Sequence, residues 1–138
     1  MKIKLIILLI ITILFSSCKT NQIQNGLKHG KWITYDTIEN DIYKYVEYFY
    51  EGNEYKTWKT FKNKKLFKKI VNLKNKSLIT YYDKNRTIIE SGQTFCEENE
   101  KERHWFYDGE WKFFDSKGKL IKIKYYYRGV LISEKNIK

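Results

Sequence analysis

From Gly26 onward apolar and polar residues alternate in short runs, and turn-forming clusters interrupt them about every 8 to 12 residues. The aromatic-rich run I-Y-K-Y-V-E-Y-F-Y lies between D-T-I-E-N-D (Asp36–Asp41) and Glu51-Gly52-Asn53. Lys62–Lys65 and Asn75–Ser77 bracket the next pair of runs. Asp83–Arg86 and Asp115–Gly118 each lead into an aliphatic pair, Ile88-Ile89 and Leu120-Ile121, and Arg128-Gly129 closes a last hairpin. Alternation with a period of two places successive side chains on opposite faces of a strand, so the pattern predicts an all-β meander. One stretch fits a second period. In Lys62–Lys76 the residues Leu66, Phe67, Ile70, Val71 and Leu73 also match helical spacing, and the lysines around them suit a basic amphipathic helix on a membrane surface.

A repeat resolves that ambiguity. The segment G-L-K-H-G-K-W-I-T-Y-D (Gly26–Asp36) contains a cassette of glycine or lysine, one residue, tryptophan, two residues and an aromatic. It returns as K-T-W-K-T-F (Lys56–Phe61) and G-E-W-K-F-F-D (Gly109–Asp115), and in degenerate form as I-T-Y-Y-D (Ile79–Asp83), with Ile79 in the tryptophan place. Trp32, Trp58 and Trp111 are 26 and then 53 residues apart, so the second gap spans two periods. The repeat register aligns Leu66-Phe67 with Leu120-Ile121, which makes Lys62–Lys76 two strands and a turn. In a regular strand the tryptophan and the aromatic three residues later point to opposite faces, so both faces of the sheet are expected to carry rings. The units run 30–53, 56–77, 78–96 and 106–130, with the charged run Glu97–Arg103 expected as a solvated loop insertion.

The N-terminus has a different character. Lys2 and Lys4 precede an apolar run from Leu5 to Phe15, too short to span a bilayer and laid out like a secretory signal peptide. Phe15-Ser16-Ser17-Cys18 resembles the lipobox of bacterial lipoproteins. That resemblance implies cleavage before Cys18, acylation of its thiol with palmitate-like chains, and a stable anchor, since two or three acyl chains suffice for one. Lys19 in place of an aspartate implies, by the same resemblance, the outer membrane of a Gram-negative envelope. The expected division is therefore a signal peptide over 1–17, a lipidated cysteine and tether over 18–25, and a repeat domain over 26–138.

Composition narrows the function classes. Seventeen per cent aromatic residues and no proline suit a packed strand-rich domain, and a mean hydropathy of -0.63 excludes a multi-span membrane protein. Loss of residues 1–17 lowers the formal charge from +11 to +9, which points to anionic partners: lipid headgroups, lipopolysaccharide phosphates, acidic glycans or nucleic acid. Export makes nucleic acid the least favoured of these. With Cys18 lipidated, Cys96 is left as a buried thiol or an intermolecular partner. His29 and His104 stand alone, so neither a metal set nor another cofactor site is predicted. Cys96 and His104 are the only neighbouring nucleophile and base, and acids such as Glu97 and Glu98, or Asp108 and Glu110, read as solvated carboxylates. No catalytic residue is assigned.

The segments G-K-W-I-T-Y-D, W-K-T-F-K-N-K-K-L-F-K-K-I, Y-Y-D-K-N-R-T-I-I-E-S-G and G-E-W-K-F-F-D-S-K-G-K-L-I-K resemble the MORN-repeat family, in particular the bacterial variant of YwqK-like proteins, over about residues 26–132. The resemblance implies an elongated, twisted sheet of antiparallel hairpins, with roles in membrane contact, protein scaffolding or antitoxin-like binding. Lys56, Ser77 and Arg86 depart from it by standing where the family has glycine. The expected function is a non-enzymatic binding or scaffold role at the membrane, with an immunity-type inhibitor of an envelope-acting toxin as the alternative. Rings beside lysines supply the candidate contacts: Trp58 with Lys56 and Lys59, Trp111 with Lys112, and the cluster Lys64, Lys65, Lys68 and Lys69.

Overall fold

The computed structural model describes residues 20–98 and 102–138. They form β1 (Gln22–Gln24), β2 (Leu27–Ile38), β3 (Asp41–Tyr50), β4 (Asn53–Glu54), β5 (Thr57–Lys62), β6 (Lys65–Asn72), β7 (Lys76–Tyr82), β8 (Ile88–Glu98), β9 (Arg103–Phe114), β10 (Leu120–Tyr127) and β11 (Val130–Asn136). These make one open, antiparallel sheet whose strand order follows the chain, with the short β4 also pairing β3. No helix occurs among the described residues, and Lys62–Lys76 is strand. The expected architecture of consecutive hairpins is the one the chain adopts.

Local chemistry explains the meander. Glu39-Asn40, Glu51-Gly52, Asn63-Lys64 and Arg128-Gly129 each take positive φ at both residues, the two-residue turn whose twist matches that of the flanking strands. A second turn type uses a carboxylate. The Asp83 Oδ1 accepts from the Asn85 and Thr87 amides at 2.8 Å, and the Asp115 Oδ1 accepts from Lys117 and Lys119 at 2.9 Å. Arg86 (φ 68°) occupies the left-handed place that Gly118 (φ 80°) holds in the other copy. Downstream of these turns the register shifts by one residue, leaving Ile89 and Ile121 bulged, and Phe67 bulges likewise in the β5–β6 hairpin. The second member of each aliphatic pair is thus a bulge residue, which bends the strand and increases its twist.

The cassette has a geometric meaning. Gly30, Lys56 and Gly109, each two residues before a tryptophan, all have positive φ, at 74°, 58° and 65°. Ser77, the matching position of the degenerate copy, does not: it lies buried inside β7, donating its hydroxyl to Asn72 Oδ1 at 2.9 Å. Two expected loops are also partly strand. Gln22–Gln24 folds back on β2, and Glu97 and Glu98 pair with His104 and Arg103, so the charged run lengthens the β8–β9 hairpin.

Following the register from strand to strand shows where the core sits. Trp58, Ile70, Ile79 and Gly92 are successive cross-strand partners, and the Trp111 ring packs on Gly92 from β9. Trp32, paired with Glu47, begins the same line on β2. One face therefore carries a spine of cassette tryptophans, with Ile79 in the tryptophan place. The buried residues Phe49, Ser77, Ile79, Thr94, Cys96 and Trp111 all lie on this tryptophan face. Its rings cover each other: Phe49 lies 5.2 Å from Trp58 and 6.3 Å from Trp32, and Tyr107 stacks on Trp111 at 4.1 Å. Each such pair adds about 0.5–1.5 kcal/mol beyond its buried area. The other cassette aromatic points to the opposite face, as the alternation predicts, and Tyr35 there is exposed.

Candidate functional site

The residue after each tryptophan projects from the opposite face, directly behind the spine. Lys59 of β5 pairs with Lys69 of β6, Lys69 with Thr80 of β7, Thr80 with Ser91 of β8, and Ser91 with Lys112 of β9. Five consecutive strands thus align three lysines and two hydroxyls in one row. Flanking positions on this lysine face add Lys31 and Lys44, with Tyr48 opposite Lys31 and with Tyr35 and Phe61 opposite Lys44. Lys31, Lys44, Lys56 and Lys59 line a shallow depression of about 640 Å³ together with Val46, Tyr48, Thr57 and Phe61.

Electrostatics set this face apart. Between Lys31 and Tyr82, the strand positions on this side of β2, β3, β5, β6 and β7 include no carboxylate. Lys59 and Lys69 are like charges placed directly opposite, an arrangement that costs stability. Neither forms an ion pair among the described residues. Ring faces partly offset the charge, with the Lys44 ammonium 5.8 Å from the Tyr35 centroid and the Lys56 ammonium 5.6 Å from that of Tyr48. By contrast, Lys62 on the tryptophan face meets Asp41 at 2.6 Å, and Lys122 and Lys124 share Glu134. Such a surface suits an anionic ligand, with ammonium groups for its charges and phenyl rings for apolar or sugar faces.

The structure sorts the residues singled out in the sequence. Trp111 is fully buried, and its Nε1 donates to the Gln93 carbonyl at 3.0 Å. Trp58 is half-buried, and its Nε1 donates to the Tyr48 carbonyl at 3.0 Å. Both rings are core, which removes them as open stacking platforms. Lys59, Lys69 and Lys112 share the row, whereas Lys68 projects from the tryptophan face with its ammonium 5.1 Å from the Tyr81 ring. Burial pushes the Lys68 pKa down, with Glu90 opposing the shift. Lys64 sits in the β5–β6 turn beside Tyr35 and Ile42, and Lys65 opens β6 near Leu66. The four-lysine cluster is thus divided between two faces and a turn. Lys56, singled out beside Trp58, borders the row, whereas Lys31, Lys44, Thr80 and Ser91 were missed, although the position after each tryptophan or its equivalent would have found Thr80.

Other candidates stay apart. Cys96 pairs with Trp105 on the tryptophan face, while His104 pairs with Glu97 on the other side, so thiol and imidazole do not meet. His29 and His104 pack on Tyr50 and Phe106. Among the described residues no cluster of three potential metal ligands occurs. Cys18 lies outside the described residues. Compared with family models, with curated proteins and with solved structures, the chain finds no match in any of the three.

Proposed function

We propose that the chain is an envelope lipoprotein, held to the membrane through Cys18, that acts as a non-enzymatic binding module for an anionic ligand. The observation that carries this reading is the Lys59/Lys69 pair on a face that lacks carboxylates over five strands. A like-charged cross-strand pair opposes folding, and an anion seated on it would offset that repulsion in the bound state. Thr20 bridges to Lys31 and the Asn21 side chain bonds the backbone of Ile33, so residues 20 and 21 lie along the β2 edge of the sheet. The resemblance to MORN repeats agrees with a binding role without supplying a ligand.

The test is retention of the detergent-solubilised full chain on a polyanionic matrix as ionic strength rises. Wild type is expected to bind at low salt and to elute later than Lys59→Glu/Lys69→Glu. Lys84→Glu/Lys117→Glu, which makes the same change of net charge in the turns, is expected to elute close to wild type. Failure of wild type to bind at low salt, or equal elution of the two double variants, would overturn the reading. The anchor is tested separately: labelling with a fatty-acid probe should be lost in Cys18→Ser.

A further inference from the structure

We infer that the ligand is a linear acidic polysaccharide, and that it crosses the strands along the row Lys59, Lys69, Thr80, Ser91 and Lys112. This rests on the binding role proposed above and adds the polymer class, the path and the direction. The row is continuous because each of the four steps is a register pair. At about 4.8 Å per strand it spans roughly 19 Å of backbone. Its composition is mixed: two ammonium groups, two hydroxyls about 14 Å of backbone in all from Lys69 to the next ammonium, then Lys112. A polymer with a charge on every short repeat would set anions against Thr80 and Ser91 without a cation. One that alternates carboxylates with hydroxyl-bearing rings matches both kinds of group, and Tyr48 and Phe61 beside the row offer faces to sugar rings.

Sheet twist separates a polymer from a membrane. Adjacent strands rotate by about 20–25°, so the surface at β9 is turned roughly 80–100° from that at β5. A flat bilayer therefore contacts only part of the row, whereas a chain that bends at each glycosidic linkage follows it throughout. The carboxylates near the far end are accounted for. Glu110 sits 3.6 Å from Lys112 and is also held by the Tyr125 hydroxyl, and Asp108 faces Gln93 at 3.4 Å. A solvent-exposed pair such as Lys112–Glu110 is screened and weakly held, so a ligand carboxylate can replace Glu110 on Lys112. The spine behind the row holds it in shape, since Trp58, Ile79 and Trp111 precede Lys59, Thr80 and Lys112 in the chain.

The experiment measures affinity of the detergent-solubilised full chain for a size series of hyaluronan oligomers, in which a uronate alternates with an uncharged sugar, with anionic phospholipid vesicles and single-stranded DNA as competitors. Affinity is expected to rise with oligomer length and to level off once the ligand covers the row. Ser91→Asp, two strands beyond Lys69, should weaken long oligomers about tenfold while leaving the shortest unchanged, and Ser91→Lys should strengthen long oligomers. The gain from Ser91→Lys cannot arise from poor folding. Polyanion binding that is independent of length and indifferent to residue 91 would overturn the track but leave the binding role standing. No binding to any polyanion would overturn both. Stronger competition by vesicles or by single-stranded DNA than by unlabelled hyaluronan would overturn the assignment of the polymer.

Discussion

Gly92 is where the spine tolerates least change. A Cβ built on it would lie 2.2 Å from Cδ2 of Trp111 and within 2.6 Å of two further ring atoms, more than an ångström short of ordinary contact. The backbone at Gly92 is fixed by its pairing with Ile79, and the indole is fixed by its bond to the Gln93 carbonyl and by Tyr107 at 4.1 Å. Gly92→Ala therefore forces the ring off the sheet. Overpacking alone costs about 1–3 kcal/mol, and a displaced indole also loses a hydrogen bond worth about 1 kcal/mol and part of its burial. The expected total is about 3–5 kcal/mol, which for a chain of this length lowers Tm by roughly 10–20 °C. Thermal melts followed by tryptophan fluorescence measure it. Trp111→Leu should also destabilise, but adding Gly92→Ala to it should cost little, since the clash is gone. A Gly92→Ala melt within about 2 °C of wild type, or strictly additive effects in the double variant, would refute the packing argument.

Three further outcomes follow from single residues. Arg86 holds a left-handed conformation where the other turn has Gly118, so Arg86→Gly should stabilise by about 1 kcal/mol, read as a rise of a few degrees in Tm; a fall would count against it. Trp58→Phe should cost about 1 kcal/mol more than Trp32→Phe in urea unfolding, because Trp58 Nε1 bonds Tyr48 while Trp32 Nε1 is buried without a partner among the described residues; equal costs would contradict this. Burial raises the pKa of Glu47, with Lys28 opposing and Glu54 adding to the shift, so its folded value exceeds the unfolded one. Its contribution to stability is then present below about 4.5 and lost as pH rises through the folded value. Glu47→Gln should accordingly raise Tm at neutral pH, and the difference from wild type should shrink toward pH 4.5; a difference independent of pH would exclude the burial cause.

Much of the fold was legible because the cassette repeats in register. Once Trp32, Trp58, Ile79 and Trp111 are equated, antiparallel pairing with a fixed turn spacing places them on one face. Alternation then places Tyr35, Phe61, Tyr82 and Phe114 on the other. The bulges at Phe67, Ile89 and Ile121 were not legible, because a bulge depends on the partner strand and the pairs look the same in sequence. The site was harder to read. Adjacency suggested that Trp58 and Lys59 act together, yet neighbours in a strand face opposite ways, so the tryptophan became core and the lysine surface. Lys64, Lys65, Lys68 and Lys69 read as one patch for the same reason, and the strand divides them. The row from Lys59 to Lys112 draws on residues 53 positions apart, and only the full register of the sheet brings them into line.

The central claim is that the lysine face is where the anionic ligand sits. Lysine acylation rates, read by mass spectrometry on the full chain with and without long hyaluronan, test it directly. Protection is expected to concentrate at Lys59, Lys69 and Lys112, with Lys84 and Lys117 in the turns unchanged. Uniform protection of all surface lysines, or protection at Lys84 and Lys117 in place of the row, would contradict it.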